Sequence, residues 1–344
     1  MCNERLVCFI TLSTLNCHCT QIIGVEKNQL PCQTLEVLQG HRDEVWFVEF
    51  SHNGKFLASS SRDQSAIIWE VKTGNVICIK HTLNGHKKPV LSVSWSPEDD
   101  QLLTCGLEEA VRRWDVGSGQ CLFIYEKSGI GVVSCGWFPD GKRVFTGMTD
   151  KSICLWDFNG GELESWKGQR TLKISDMAIT SDGKRIISIC RDSTILLLDR
   201  EAIFERLIEE EDAVTSFALS KDNKFLLVNL INQEIHLWKI DGDPKVVSKY
   251  IGHRRSRFVI RSCFGGLGQK FIASGSEDSK VYIWRKGTGE LLVELAGHSG
   301  SVNSVSWNPA NPHMLASASD DRTVRIWGLD HLPMNGAVPV ANGC

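Results

Sequence analysis

The chain alternates short apolar stretches with polar turns, and this pattern recurs seven times. In each unit, strands of alternating apolar and polar residues lead to a final apolar strand that closes on a bulky side chain. The closing residues stand 40 to 46 positions apart and are Trp69, Trp114, Trp156, Leu198, Trp238, Trp284 and Trp327. A repeat of this length built from short strands is typical of the four-stranded blades of a β-propeller. The pattern therefore predicts an all-β fold with seven blades.

The last unit shows the pattern most clearly. A Gly-His pair at 297–298 precedes an alternating strand at 302–307, and Asp321 precedes the apolar strand that ends at Trp327. These features resemble the WD40 repeat family, and the resemblance extends over about residues 33–329. It implies a seven-bladed WD40 β-propeller, in which neighbouring blades cover both faces of each sheet.

The resemblance also implies a buried hydrogen-bonded chain in each complete unit. In the family, this chain joins the His of the Gly-His loop, a Ser or Thr, the Asp of the next turn and the closing Trp. Such a network stabilises a sheet when every member has a partner. The first, sixth and seventh units have the full set, and the second has Glu in place of Asp. The matching positions are His41, Ser59, Asp63 and Trp69; His86, Thr104, Glu108 and Trp114; His253, Ser274, Asp278 and Trp284; and His298, Ser317, Asp321 and Trp327. We interpret these histidines as structural, not as catalytic groups or metal ligands.

The remaining three units are incomplete. The third has no His in its loop, and the fourth closes on Leu198. The fifth has Val228 and Asn232 at two positions of the hydrogen-bonded chain. We therefore expect that the fourth and fifth units do not form the full chain.

The segments that flank the repeats suggest how the ring closes. Two residues follow Trp327 before a tail that contains Pro and Asn, so the last unit lacks an outer strand of its own. Residues 34–38 form an apolar stretch ahead of the first Gly-His pair, and we predict that they supply this strand and remove an open sheet edge. The predicted organisation is a Cys-containing N-terminal extension at 1–32, expected to be disordered, a propeller at 33–329 and a flexible tail at 330–344.

Composition narrows the classes of function. The formal net charge is −3, and 42% of the 344 residues are hydrophobic. A negative net charge does not favour a nucleic-acid partner, which attracts a positive surface, and no apolar run reaches the roughly 18 residues of a membrane span. The 13 cysteines are odd in number and scattered, which favours free thiols in a reducing compartment. We therefore expect a cytoplasmic and nuclear protein with neither a nucleic-acid nor a membrane partner.

Motifs of catalysis and cofactor binding are absent from the sequence. The chain has no G-x-x-x-x-G-K-[ST] phosphate loop, no H-E-x-x-H and no G-x-S-x-G motif. Cys2, Cys8, Cys17, His18 and Cys19 cluster near the N-terminus but lack a second pair at the spacing of zinc ligands. We therefore predict a non-catalytic binding platform with no cofactor and no metal.

The loop at 252–258 is the first candidate for partner binding. It is three residues longer than the matching loops of the first two units. Its basic and aromatic residues are Arg254, Arg255, Arg257 and Phe258. In one interpretation, these arginines bind carboxylates or phosphates of a partner through paired hydrogen bonds. In the other, they and the acidic run at 209–212 of the preceding unit neutralise each other as a solvated surface.

Trp46 is the second candidate. It follows the first inward apolar residue of the innermost strand, at a position where the other units have smaller side chains. We expect this position to face the mouth of the central channel, where an exposed Trp is a frequent binding anchor. Packing against Phe47 or a neighbouring blade is the alternative. Arg62 and Arg191, each before a turn Asp, and Arg322, after one, are predicted to point toward the same rim.

Several strings narrow the resemblance further. Residues 41–47, 262–266, 271–284 and 306–309 are similar to the family of WD repeat-containing protein 26 and subunit seven of the yeast GID complex, and most similar to its plant members. This resemblance implies a scaffold or substrate-recruiting subunit of a CTLH/GID-type ubiquitin ligase. Its implied partners are the other ligase subunits and substrate proteins.

One departure from the family bears on assembly. In the family, LisH–CTLH helices precede the propeller, whereas the roughly thirty residues before this ring show no amphipathic helical period. The resemblance therefore implies ligand binding by the ring, and it leaves open whether the chain assembles with the ligase without those helices. The alternative functions are a general signalling or transcriptional adaptor and a substrate receptor of a cullin-based ligase. The last of these needs a Trp-Asp-x-Arg motif, which the strings at 114–117 and 156–159 lack.

Overall fold

A computed structural model describes residues 30–329 except 107, 109, 128, 151, 168–175 and 203, and only the backbone of 75, 166, 167, 190 and 191. Within these residues, 28 β-strands form seven antiparallel four-stranded sheets around a central channel. The predicted all-β, seven-bladed propeller is confirmed. The predicted extension and tail lie outside the described residues, apart from 30–32. No helix in the described part of the chain is long and apolar enough to cross a membrane.

The strands follow one another in chain order. Strand β1 is Gln33–Gln39. The first blade consists of β2 (Val45–Phe50), β3 (Phe56–Ser61), β4 (Ser65–Val71) and β5 (Ile77–Asn84). The second consists of β6 (Val90–Trp95), β7 (Gln101–Gly106), β8 (Ala110–Asp115) and β9 (Cys121–Glu126). The third consists of β10 (Val132–Trp137), β11 (Val144–Met148), β12 (Ser152–Trp156) and β13 (Glu162–Lys167). The fourth consists of β14 (Met177–Ile179), β15 (Arg185–Arg191), β16 (Thr194–Asp199) and β17 (Phe204–Glu209).

The last three blades follow the same order. The fifth consists of β18 (Val214–Leu219), β19 (Phe225–Leu230), β20 (Ile235–Lys239) and β21 (Lys245–Tyr250). The sixth consists of β22 (Ser262–Gly265), β23 (Phe271–Ser274), β24 (Lys280–Arg285) and β25 (Leu291–Ala296). The seventh contains β26 (Val302–Trp307), β27 (Leu315–Ser319) and β28 (Thr323–Gly328). Short 3-10 turns lie at Thr73–Asn75 and Leu267–Gln269.

Strand β1 closes the ring. It pairs antiparallel with β28, with Leu38 opposite Val324, and it is the outermost strand of the seventh blade. Residues 34–38, predicted to be the closing strand, lie within it. Glu36 also accepts a hydrogen bond from Ile77 N of the first blade at 3.0 Å. The two ends of the propeller are therefore joined by backbone pairing and by a contact between blades.

The apolar core lies between neighbouring blades. At the junction of the seventh and first blades, one cluster includes the buried side chains of Leu38, Val48, Ile67, Trp69 and Ile326. Burial of such surface stabilises the fold by about 25 cal/mol per Å². Similar clusters join the other blades. Because each cluster combines residues of two blades, each blade depends on its neighbours for a dry core.

Indole nitrogens add polar ties between blades. Trp95, at the end of the innermost strand of the second blade, donates from Nε1 to Glu49 O of the first blade at 3.0 Å. Trp137, at the matching place in the third blade, donates to Ser94 O of the second at 3.0 Å. These bonds satisfy buried indole groups and fix the position of one blade against the next.

The two ends of the ring differ in their loops. We call the end with the Gly-His loops and the turns between second and third strands the upper rim, and the opposite end the lower rim. Near the upper rim, the innermost strand of five blades has a register shift at the same place. The residues at these shifts are Trp46, Leu91, Val133, Thr215 and Asn303. A β-bulge of this kind redirects its side chain, so these positions are suited to present side chains at the channel mouth.

Candidate functional site

The seventh blade contains the complete hydrogen-bonded chain at the upper rim. Trp327 Nε1 donates to Ser317 Oγ at 2.8 Å, and Ser317 Oγ lies 2.7 Å from His298 Nε2. His298 Nδ1 lies 2.8 Å from Asp321 Oδ2. Burial lowers the pKa of His298, so the neutral imidazole accepts from Ser317 and donates to the carboxylate. The first blade has the same chain through His41, Ser59, Asp63 and Trp69.

The second blade forms an equivalent chain with a glutamate. Glu108 accepts a hydrogen bond from His86 Nδ1 and another from Lys87 N at 2.9 Å. Thr104 Oγ1 lies 2.6 Å from His86 Nε2 and accepts from Trp114 Nε1 at 2.8 Å. Glutamate therefore serves the role that aspartate has in the first and seventh blades.

The sixth blade does not form the chain, which corrects the prediction from its sequence. Trp284 Nε1 donates to Ile251 O at 3.0 Å instead of to Ser274. Ser274 Oγ donates to the carbonyl of the next residue at 3.0 Å. His253 Nδ1 is buried and has no hydrogen-bond partner. All four family residues are present, but their hydrogen bonds go elsewhere.

Tyr282 explains this difference. Its hydroxyl donates to Asp278 Oδ2 at 2.7 Å, so it occupies the carboxylate that His would otherwise reach. Ser276 Oγ accepts a hydrogen bond from Arg254 N at 2.8 Å. In the first and seventh blades, the matching backbone N donates to the turn carboxylate instead. Burial, with a smaller contribution from a nearby arginine, lowers the pKa of His253 to about 4. The side chain is therefore a neutral core residue.

The fifth blade has a different chain that the sequence analysis missed. Glu210, in the loop before the blade, accepts hydrogen bonds from Trp238 Nε1 and from His236 Nδ1, the latter at 2.9 Å. His236 Nε2 lies 2.8 Å from Glu234 Oε2. Burial would lower the pKa of His236, but these two carboxylates raise it. Glu210 is thus part of the blade interior, and the run at 209–212 does not present four free carboxylates.

The serine of the chain offers a direct test. We expect Ser317→Ala to lower the free energy of unfolding by about 1–3 kcal/mol, because Trp327 Nε1 and His298 Nε2 would be buried without partners. Ser274→Ala is the matched control, since Ser274 bonds only to a neighbouring carbonyl in the described structure, and we expect less than about 1 kcal/mol. Urea unfolding followed by tryptophan fluorescence measures both. Equal losses for the two variants would contradict the difference between the blades.

The loop at 252–258 is held by one carboxylate. Glu277 Oε1 accepts hydrogen bonds from the backbone N of Ser256, Arg257 and Phe258 at 2.7, 2.7 and 3.0 Å, and Oε2 accepts from Ser256 Oγ at 2.6 Å. Burial alone would raise the pKa of Glu277, but these hydrogen bonds lower it to about 2. A permanent anion therefore organises the loop. The sequence signal for this arrangement is Glu277, which directly precedes the turn residue Asp278. The first unit has Arg62 at the matching position.

Arg255 is part of this internal structure, and its prediction as an exposed binding residue is wrong. Its side chain is buried, with 6% of the residue exposed. Nε donates to Phe258 O at 2.8 Å within the loop, and Nη1 donates to Leu230 O of the fifth blade at 2.8 Å. Burial lowers the pKa of the guanidinium to about 10. Arg255 therefore ties the loop to the neighbouring blade.

The other loop residues form an exposed surface. We call Arg254, Arg257, Phe258 and Val259 the Arg-Phe cluster. Phe258 and Val259 are 46% and 51% exposed, and both arginines are exposed. Among the described residues, no carboxylate lies within 4.0 Å of either guanidinium group. The cluster therefore combines free positive charge with exposed apolar surface on a loop whose backbone is fixed.

Trp46 lies on the upper rim of the first blade. Its indole Nε1 donates to Glu44 Oε2 at 3.0 Å, and the ring is partly exposed. Arg62 Nη1 donates to Glu44 Oε1 at 3.0 Å, and its Nε lies 3.8 Å from Asp43. Glu44 thus orients both predicted residues. The carboxylate of Glu44 also offsets the positive charge of Arg62. The partly exposed ring of Trp46 therefore lies beside an ion pair on the first blade.

The remaining arginines differ in position. Arg322 is exposed in the turn of the seventh blade, with φ at 72° in the left-handed region. It belongs to the blade between the Arg-Phe cluster and Trp46, so these groups occupy three consecutive blades. Arg191 ends β15 of the fourth blade, away from them, and its side chain lies outside the described residues.

Metal and thiol chemistry can be stated only for the described part of the chain. There, no group of three or more His, Cys, Asp or Glu side chains is arranged to hold a metal ion. The N-terminal Cys and His cluster lies outside the described residues. The cysteines at 32, 78, 105, 121, 135, 154 and 263 are free thiols.

Comparison with known proteins agrees with the geometry. The family model "WD domain, G-beta repeat" matches residues 32–70, 77–115, 119–157, 244–285 and 289–328. Its matches leave out the chain from 158 to 243, which contains the fourth blade, closed by Leu198, and the first three strands of the fifth, with its Glu210 chain.

Several relatives are similar over most of the chain. The WD repeat-containing protein 26 homolog of Arabidopsis thaliana is 65% identical over 89% of this chain and 52% of its own length. The WD repeat-containing protein WDS homolog of the same plant is 50% identical over 88% of this chain and 58% of its own length. The GID complex subunit 7 of Schizosaccharomyces pombe is 40% identical over 88% of this chain and 60% of its own length.

This chain therefore spans between about half and three fifths of the length of these relatives. The predicted resemblance to WD repeat-containing protein 26 and to the GID subunit is confirmed. The chain belongs to the WD40 repeat family.

Proposed function

We propose that this chain is a non-catalytic protein-binding subunit of a CTLH/GID-type ubiquitin ligase complex, and that its upper rim recruits a partner protein. The observation that carries the proposal is the Arg-Phe cluster. Its arginines lack carboxylate partners in the described structure, and its apolar side chains are exposed on a loop held by Glu277. A fixed loop loses little entropy when it binds, which favours recognition by this surface.

The chemistry of the cluster suggests the partner. Arginine binds carboxylates in a paired geometry, and an aromatic side chain beside it adds apolar contact. Among the described residues, no carboxylate of the acidic loop of the fifth blade lies within 4.0 Å of either guanidinium group of the cluster. Glu210 bonds within its own blade, and Asp212 accepts from Asn232 at 2.8 Å. An acidic segment of a substrate protein fits these properties. Trp46 and Arg322 would extend the surface onto the next two blades.

The similarity to GID complex subunit 7 supports the place of the chain in a ligase. Ligase subunits and substrate proteins are the partners that we propose, and the cytoplasm and nucleus are the compartments. We propose no nucleic-acid or membrane partner and no cofactor.

Charge reversal in the Arg-Phe cluster tests this proposal. The epitope-tagged chain and its Arg254→Glu/Arg257→Glu variant are purified from the cells that make the protein and compared by quantitative mass spectrometry. We expect RING and CTLH-type ligase subunits with both chains, and a loss of about tenfold or more for substrate proteins with the variant. Lys55→Glu/Lys142→Glu, on two exposed lysines of the lower rim, is the matched control.

The outcomes separate the two parts of the proposal. Recovery of substrates that is equal for the two double variants would remove the cluster from the binding surface. Absence of ligase subunits from the unmodified chain, with other proteins retained, would indicate an adaptor outside the ligase.

A further inference from the structure

A groove lies on the lower rim, between the fifth and sixth blades. It has a volume of about 440 Å³. Phe225 and Val247 of the fifth blade form one wall, and Lys270, Arg285 and Lys286 of the sixth form the other. This groove is at the opposite end of the ring from the Arg-Phe cluster, so it is not part of the site proposed above.

The charge of the groove is one-sided. Three of its lining residues are cationic, and no lining residue is acidic, although the whole chain has a net charge of −3. Carboxylates outside the lining balance part of this charge. Glu290 Oε2 lies 3.4 Å from Arg285 Nε, and Asp222 acts on Lys286 at longer range. The exposed Lys270 lies within 4.0 Å of no described carboxylate.

Lys286 is the central group of the groove. Its Nζ lies 4.2 Å from the ring centroid of Phe225 and 5.0 Å from that of Phe264. The two rings attract the ammonium but provide no lone pair for its N–H groups. Burial lowers the pKa of Lys286, and Asp222 only partly opposes this effect. In the described structure no oxygen accepts a hydrogen bond from Nζ, so an incoming carboxylate would supply what the site lacks.

Two exposed apolar side chains belong to the segments that form the groove. Val247 is 42% exposed on β21, and Leu267 is 69% exposed in the turn beside the groove. Strand β21 is the outermost strand of its sheet, so one edge of its backbone has no strand partner there. The turn at Gly289 approaches this strand at Lys249 O, and the stretch before Lys249 is the part that an added strand would use. A small anion would contact only the cations, whereas an extended peptide would contact the cations, the apolar walls and the strand edge.

We propose that this groove binds an extended segment of a partner protein in which a carboxylate side chain lies next to an apolar one. The carboxylate pairs with Lys286 and Lys270, and the apolar side chain packs against Val247 and Leu267. The segment lies along the edge of β21. The site is independent of the upper rim, and a partner bound here leaves the Arg-Phe cluster open.

Defined peptides test the proposal on the full chain. The probe is an acetylated and amidated hexapeptide of alternating valine and glutamate, and the comparison peptide has glutamine in place of glutamate. Isothermal titration calorimetry measures affinity, and hydrogen exchange reports the amides of β21. We expect the glutamate peptide to bind about tenfold more tightly than the glutamine peptide and to protect β21.

Two variants locate the binding. Lys286→Met keeps the aliphatic contacts with the rings but removes the charge. We expect it to lower the affinity for the glutamate peptide about tenfold, whereas Lys286→Arg retains that affinity. Lys270→Glu changes an exposed side chain, so it tests the groove even if Lys286→Met does not fold. Lys142→Glu, on an exposed lysine of the third blade outside the groove, is expected to bind like the unmodified chain.

Three results would overturn the proposal. The first is that neither peptide binds the unmodified chain. The second is that the glutamate and glutamine peptides bind equally well. The third is that Lys270→Glu, and Lys286→Met where it folds, bind the glutamate peptide as tightly as the unmodified chain does. Tight binding of inorganic phosphate, with no protection of β21, would show a small-anion site in place of a peptide site.

Discussion

Leu38→Asp is expected to lower the free energy of unfolding by about 3–5 kcal/mol. Leu38 is 4% exposed in the closing strand β1 and packs in the cluster that contains Trp69 and Val324. The substitution removes an apolar side chain from this cluster and places a carboxylate there without a partner. That loss is a large share of the 5–15 kcal/mol by which a domain is typically stable.

The neighbouring residue provides the matched control. Val37 lies on the other face of the same strand, is 38% exposed and is opposite Arg325 in the sheet. We expect Val37→Asp to change the free energy of unfolding by no more than about 0.5 kcal/mol. Urea unfolding, followed by tryptophan fluorescence, gives the midpoint and slope for each variant. Equal midpoints for Leu38→Asp and the unmodified chain would show that β1 is not needed to hold the ring closed.

The effect is expected to be global because of how the ring is built. Six of the sheets consist of four consecutive strands, and the seventh combines β1 with β26, β27 and β28 from the other end of the chain. This sheet is where the two ends of the ring meet. Loss of β1 would expose the edge of β28 and open the core between the seventh and first blades, so the damage would not remain in one blade.

The fold could be predicted because its signals are periodic. Each closing side chain marks one blade, and the excess strand before the first Gly-His pair matches the strand missing after Trp327. The hydrogen-bonded chain was harder to predict, because residue identity alone does not determine which donors and acceptors pair. In the sixth blade, Tyr282 occupies the carboxylate of Asp278. In the fifth blade, Glu210 replaces the missing His.

The candidate site shows the same limit. The extra length and the arginines of the loop at 252–258 are visible in the sequence, but the direction of each side chain is not. That direction depends on Glu277, more than eighteen residues away in the chain, which fixes three backbone N–H groups of the loop. An irregular loop has no side-chain period that could indicate which arginine points inward. The burial of Arg255 and the exposure of Arg254 follow from contacts between distant parts of the chain, which the sequence pattern does not reveal.

Arg255→Glu is expected to lower the free energy of unfolding by about 3–5 kcal/mol. The substitution removes the donors to Phe258 O and Leu230 O, both at 2.8 Å. It also places a buried carboxylate beside those two carbonyl oxygens and near the anionic Glu277. Both the unsatisfied carbonyls and the uncompensated charge oppose folding.

Arg254→Glu makes the same change of charge on the same loop, but Arg254 is exposed, so we expect a change within about 0.5 kcal/mol. Thermal and urea unfolding of the two single variants measure the difference, and similar midpoints would contradict the buried position of Arg255. The comparison also decides how binding data are interpreted. Lost partner capture in Arg255→Glu would follow from a disordered loop, whereas lost capture in the stable Arg254→Glu would identify a contact with the partner.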